Sequence, residues 1–215
     1  MSRFFSPDKA LVRAVLVTLC RLLTGVRAFW HQPPDQTRPA IYYANHSSHL
    51  DGLVIWASLP KALRDRAHPV AAADYWQKTW LRRYLASRIF NVVLVERNRP
   101  QAEAESARDP LETLVLTLEK GDSLIFFPEG TRGDGEALAA FKSGLYHLAR
   151  RAPQAQLVPV WLENMNRVLP KGSRLVVPVI CTATFGLPEP TPVDDETKTA
   201  FLARTKTALE ALAND

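Results

Sequence analysis

Apolar residues in this chain come in short runs, and the spacing between most runs is that of helices. Runs rich in Val, Ile, Tyr and Phe at 40–44, 69–73, 91–95, 123–127, 156–161 and 174–184 read as strands. Helical stretches between them predict an α/β fold with a mostly parallel central sheet flanked by helices. The helix over 111–120 is the best marked. Asp109 stands as its N-cap, Pro110 follows at the first helical position, Glu112 completes an Asp-x-x-Glu box, and Gly121 lies just past the last turn. A second apolar helix, 50–59, stops at Pro60, and residues 194–213 predict a C-terminal surface helix packed by Phe201, Leu202 and Leu209. The polar stretch 98–109 reads as a loop.

The stretch 6–30 has another character. On a helical wheel Lys9, Arg13, Arg21 and Arg27 gather on one side, and Leu, Val, Phe and Ala fill the rest. An N-terminal amphipathic helix of this kind can lie on an anionic membrane surface. It can equally cover the core and leave a solvated edge, and periodicity does not choose between the two. The chain divides accordingly into this helix, over 1–30, and one domain over 31–215.

Composition supports a single domain with a real core, since 47% of the 215 residues are hydrophobic and 23% charged. Cys20 and Cys181 are far apart, and no Cys/His spacing suggests a metal site, so a reducing compartment is the simpler expectation. The net charge of +5 favours an anionic partner, whether phosphate, coenzyme, acidic carrier or membrane. Nucleic acid is the weaker candidate, because no recognition motif or clustered basic run is present. No apolar run approaches the ~20 residues of a spanning helix. Arg13 and Arg21 bracket too short an apolar core for a signal peptide.

Two stretches carry candidate chemistry. In "NHSSHLD", residues 45–51, Ser48 and Asp51 have helix-capping spacing, which leaves His46 unexplained. Positions five apart sit about 140° from each other on a helix. His46 therefore meets Asp51 only if it lies in the turn before the helix and Asp51 in the first turn. Asp51 would then hold the imidazole Nδ1–H and leave Nε2 as a base. With no Gly-x-Ser-x-Gly elbow in the chain, the dyad is expected to activate an external hydroxyl. In "FFPEGTR", residues 126–132, a buried strand brings Glu, Gly, Thr and Arg to the edge where parallel sheets bind ligands. His49 reads as a helix-face residue, and His31, His68 and His147 as structural. Trp76, Trp80 and Arg83 share helical spacing suited to a membrane interface or to a core stripe.

Taken together, His46 with Asp51, and Phe127 through Arg132, resemble the Asn-His-x4-Asp and Phe-Pro-Glu-Gly-Thr-Arg blocks of the glycerolipid acyltransferase family, the lysophosphatidic-acid-acyltransferase-like proteins. Arg97 at the end of "NVVLVER", Lys142 in "FKSG" and Pro159 in "LVPVW" fit weaker blocks, and the likeness covers roughly residues 38–187. The resemblance implies a membrane-associated acyltransferase domain. It would move an acyl group from acyl-CoA or acyl carrier protein to the hydroxyl of a lysophospholipid, with no bound cofactor. It gives His46 the role of general base and Asp51 that of its orienter. Arg97, Arg132 and Lys142 would hold acceptor phosphate, and Glu129, Gly130 and Thr131 would shape the acceptor site. Backbone N–H groups near the Asn45–His46 turn or Gly130 are the expected oxyanion donors. The protein would sit peripherally on the inner face of the cell membrane. Asp74 stands where many relatives place lysines, with Lys78 the nearest substitute, which widens the implied acceptor to lysophospholipids with larger head groups or to an amide-linked lipid. The same dyad acting on water would make a thioesterase or lipid hydrolase. A non-catalytic module that binds anionic lipid is the third reading.

Overall fold

Seven strands build one sheet: β1 (Arg27–Trp30), β2 (Ala40–Ala44), β3 (Ala67–Ala72), β4 (Val93–Val95), β5 (Ser123–Phe126), β6 (Gln156–Glu163) and β7 (Thr182–Phe185). The structure is a computed structural model describing residues 7–95, 109–135, 137–168 and 179–214, and the strand count is of these described residues. The order across the sheet is β1-β7-β6-β2-β5-β3-β4. Strands β6, β2, β5, β3 and β4 are parallel, β7 is antiparallel to β6, and β1 runs parallel to β7. The predicted α/β class with a mostly parallel sheet is what forms. Around it lie α1 (Pro7–Thr24), α2 (Asp51–Ser58), α3 (Lys61–Arg64), α4 (Ala73–Trp76), α5 (Trp80–Tyr84), α6 (Pro110–Glu119), α7 (Gly144–Arg151), α8 (Met165–Val168) and α9 (Lys198–Ala211).

Strand β2 shows why both faces need cover. Its sequence, AIYYA, is buried throughout, as expected of a central parallel strand with helices on both sides. Alternation sends Tyr42 to one core with Ile55, Trp56, Phe185 and Val17. Ile41 and Tyr43 go to the other core, with Leu114, Leu118, Leu145, Leu148 and Phe201. Two of the signals around α6 act as read: Asp109 accepts from the Leu111 N–H at 2.9 Å, and Gly121 takes a left-handed φ of 82° after the helix.

The N-terminal helix is shorter than expected. It stops at Thr24, Gly25 adopts a φ of 53°, and the chain then joins the sheet as β1. Cys181 holds the corner, donating to Thr24 O and accepting from Arg27 N–H, both at 3.0 Å. Trp30 then stacks on Phe185, with ring centroids 3.8 Å apart. Trp76 and Trp80 do not share a helix face either, since α4 ends at Trp76 and Thr79 caps a new helix before Trp80. Trp76 packs on Phe90 in the core, while Trp80 is 73% exposed. The predicted strand 174–184 is realised as β7, with residues 174–178 outside the described residues, as are 98–108 of the predicted loop.

Two arginines of α1 reach back to the domain. Arg13 donates to Ile89 O at 3.0 Å and pairs with Asp65 at 3.4 Å, and Arg21 donates to Ala57 O at 3.0 Å. Val17 and Cys20 fill the core between them. The outward face carries Leu11, Val15, Leu19, Leu22 and Leu23, each 44–73% exposed. One side of the helix thus packs on the domain, as a core-covering helix would, and the other is apolar and exposed. Among the described residues no helix is long and apolar enough to cross a membrane.

Candidate active site

Strands β2 and β5 are adjacent and parallel, with Tyr43 opposite Phe126. His46 and Glu129 each lie three residues further on, so the two stretches singled out in the sequence leave the sheet side by side at its C-terminal edge. That edge is where open parallel sheets bind ligands. Asn45 ends β2 in a defined way. Its amide donates to Leu162 O at 2.9 Å and accepts from Leu162 N at 2.8 Å, imitating one more rung of the β2–β6 ladder while the backbone turns away.

His46 lies in the turn and Asp51 opens α2, as the spacing requires. His46 Nδ1 is 2.8 Å from Asp51 Oδ2, which also accepts from the N–H groups of Ser47 (2.7 Å) and Ser48 (2.8 Å). An oxygen receiving two N–H bonds is an acceptor toward the ring, so Nδ1 carries the hydrogen and Nε2 is the basic nitrogen. The Asp51 side chain is fully buried and the His46 ring 18% exposed, so the carboxylate is sheltered while the imidazole meets solvent. Oδ1 of Asp51 is buried with no hydrogen-bond partner among the described residues. Phe127 stacks on the His46 ring, centroids 4.2 Å apart and planes 21° apart, a role no motif reading gave it.

The second stretch holds the first through its backbone. Glu129, 3% exposed, accepts from the His46 N–H at 2.7 Å through Oε1 and from the Ala139 N–H at 3.0 Å through Oε2. Gly133 N–H donates to His46 O at 2.8 Å. Gly130 N–H donates to Phe127 O at 3.0 Å. The N–H groups of His46, Ser47, Ser48 and Gly130 are therefore all engaged within the protein.

Cations line the same edge. Gly130 has a φ of 70°, and Lys142 lies over it, its Nζ 3.0 Å from where a Cβ would stand. Thr131 and Arg132 follow on the exposed loop. His49, also exposed, has its pKa lowered by partial burial first, then by the charges of Arg132, His46 and Arg82. Arg82 of α5, which motif reading passed over, is therefore near enough to His49 for its charge to be felt there. Arg97 lies outside the described residues. Asp74 is exposed in α4 and Lys78 exposed beyond it. A cavity of about 180 Å³ is lined by Asn45, Ser47, Gly135, Glu163, Asn164 and Arg167 among others. It is smaller than the ~300–1,000 Å³ of a whole ligand site, so it suits a fragment of a larger substrate. His68 is structural as expected, bridging Asn91 O and Asp122. Among the described residues no group of three or more His, Cys, Asp or Glu side chains gathers as a metal site would.

A mostly parallel α/β sheet that presents a histidine held by a buried aspartate at its ligand edge has an arrangement suited to acid–base chemistry. The chain belongs to the acyltransferase family, whose model matches residues 29–163. A chloroplastic 1-acyl-sn-glycerol-3-phosphate acyltransferase of Arabidopsis thaliana is 31% identical over 143 residues, 65% of this chain and 36% of its own. The human 1-acyl-sn-glycerol-3-phosphate acyltransferase alpha is 30% identical over 167 residues, 77% of this chain and 54% of its own. The chain thus spans a third to a half of the length of these curated relatives. The crystal structure of the 1-acyl-sn-glycerophosphate acyltransferase PlsC from Thermotoga maritima matches all of this chain and 85% of its own, with a TM-score of 0.67 at 19% identity, which supports the fold.

Proposed function

We propose that the protein transfers an acyl group from acyl-CoA or acyl carrier protein to the hydroxyl of a lysophospholipid of the 1-acylglycerol-3-phosphate type. The observation that carries this reading is the 2.8 Å contact between His46 and the buried Asp51 at the ligand edge of the sheet. His46 Nε2 takes the proton of the acceptor hydroxyl as its oxygen attacks the thioester carbonyl. The tetrahedral oxyanion collapses, the C–S bond breaks, and the imidazolium returns the proton to the departing thiolate. The products are the new ester and the free thiol. Asp51 keeps the ring oriented and stabilises its charged form. Arg132 and Lys142, with Arg97, hold the acceptor phosphate, Arg132 by a bidentate fork.

The acceptor is a membrane lipid, and two exposed apolar patches suit a bilayer surface. One is the outer stripe of α1, extended by Ile180, which is 58% exposed and lies 3.6 Å from the Cβ position of Gly25. The other is Trp80 and Leu81 of α5. Arg13 ties α1 to Ile89 in the π-helical turn that continues α5. The net charge of +5 adds attraction to anionic lipid.

Incubation with acyl-CoA or acyl-loaded carrier protein and 1-acylglycerol-3-phosphate in anionic vesicles, read by mass spectrometry, tests the reading. A diacyl product is expected. Free fatty acid alone would make the protein a thioesterase, and lipid binding without turnover would make it a binding module.

A further inference from the structure

We propose that Glu129 is a positioning residue for the general base rather than a ligand of the acceptor; the inference rests on the acyl-transfer reading above. Three observations carry it. Glu129 is 3% exposed, so its carboxylate sits behind the site surface rather than on it. Each of its oxygens already receives a backbone N–H, that of His46 at 2.7 Å and that of Ala139 at 3.0 Å. A carboxylate directed at an acceptor phosphate would also meet it with like charge.

The His46 peptide is gripped at both ends by one segment. Glu129 takes the N–H, and Gly133 donates to the carbonyl at 2.8 Å. Gly133 lies against the same carboxylate, its Cβ position 3.7 Å from Glu129 Oε2. Asp51 and Phe127 fix the ring, whereas Glu129 and Gly133 fix the backbone that sets where the ring begins. Glu129 and Gly133 also bracket Arg132 in the chain, so the brace sets the base and the phosphate-binding loop relative to each other. Misplacing a catalytic group by about 1 Å can cost on the order of 10²-fold in rate.

Glu129→Gln tests the brace. Its amide oxygen can accept one N–H, but its NH₂ then faces the other, donor against donor. A fall in kcat of about 10²-fold is expected, with KM for the lysophospholipid and for acyl-CoA within about twofold. A raised acceptor KM at unchanged kcat would overturn the inference and return Glu129 to the acceptor site. If circular dichroism shows that Glu129→Gln does not fold, Gly133→Pro, which removes the N–H that holds the other end of the His46 peptide, carries the test. The same kcat-selective loss supports the brace, and an unchanged kcat overturns it. If both variants fail to fold, Glu129 serves folding before catalysis and the positioning role is overturned. A wild-type chain that makes no diacyl product would instead sink the acyl-transfer reading itself.

Discussion

Arg21 of α1 donates to the carbonyl of Ala57, 3.0 Å away near the C-terminal end of α2. Arg64 donates to Leu59 O at the same helix end. The last carbonyls of a helix lack intrahelical partners and carry its negative pole. Guanidinium groups there satisfy both needs. Arg21 of α1 thus helps to cap α2 from outside the helix, while leucine and valine make up the exposed apolar side of α1.

The first prediction follows from that orientation. Leu11 and Leu22 are 66% and 73% exposed, so Leu11→Glu with Leu22→Glu should leave the melting temperature nearly unchanged. Full burial of a leucine contributes about 1.5–3 kcal/mol. Losing two partly buried ones should weaken co-sedimentation with anionic vesicles at least about tenfold. Arg13→Ala with Arg21→Ala should do the reverse, lowering stability more than vesicle affinity. If the arginine pair proves to govern vesicle binding and the leucine pair does not, the inward orientation of these two arginines is wrong.

The second concerns the dyad. Asp51→Asn keeps an oxygen that can accept from Nδ1–H, Ser47 and Ser48, but its NH₂ takes the buried place of Oδ1, which has no partner. An unmet buried donor costs about 1–3 kcal/mol, so the variant should fold with a lower melting temperature. The neutral amide cannot stabilise the imidazolium, and turnover should drop by about 10²–10⁴-fold. His46→Ala should remove as much or more. A His46→Ala enzyme that keeps over a tenth of the rate, a barrier change of only about 1.4 kcal/mol, would end the general-base assignment.

A third prediction separates acceptor from donor. Arg132→Lys replaces a fork with a point charge and should raise the acceptor KM while leaving the acyl-CoA KM alone. Gly130→Ala should act through a different route. A φ of 70° strains any residue with a Cβ by roughly 1–2 kcal/mol, and the new methyl would stand 2.8 Å from Lys142 Cδ. The lysine must move aside. Gly130→Ala and Lys142→Ala should therefore raise the acceptor KM non-additively in a double-mutant cycle. Additive effects would mean that Lys142 does not act where Gly130 places it.

These outcomes show where sequence reasoning reaches and where it stops. Ala40–Ala44, the capped helix α6 and the His46–Asp51 geometry were legible because local periodicity, cap chemistry and helical spacing determine each of them. Strand β1 was not, because "VRAFW" reads equally as the tail of an apolar helix, and only its pairing with β7 makes it a strand. The wheel of α1 revealed two faces but not which one packs, since that depends on the carbonyl end of α2. Glu129 was read by motif as part of the acceptor site. Its bond to the His46 N–H needs the β2–β5 register, which no window of a single stretch contains. Phe127 falls in the same class, as it stacks on His46 across elements distant in sequence.

The last prediction uses the two cysteines as reporters of α1 docking. Cys20 is buried between α1 and the core, and burial pushes its thiol up to about 11 against the smaller opposing effects of Thr24 and Arg21. Cys181 is also buried, and burial, then the neighbouring Cys20, Asp51 and Glu163, raise it to about 11. Only the thiolate is a nucleophile, and at pH 8 a thiol of that pKa is ionised to about one part in a thousand. Iodoacetamide at pH 8 should therefore label the native protein far more slowly than the same chain in denaturant. The sign with pH follows from the same shift. The unfolded thiols lose their protons first, so the raised pKa favours the fold fully below about pH 8.5, and that contribution is lost as pH climbs through about 11. Denaturation midpoints should accordingly fall between pH 8.5 and pH 11 by more in the wild type than in a Cys20→Ser, Cys181→Ser variant. Arg21→Ala should accelerate labelling of Cys20 by letting α1 lift from α2. Native labelling at the rate of a free thiol would show that α1 is not seated on the core, and the inward cap on α2 would fall with it.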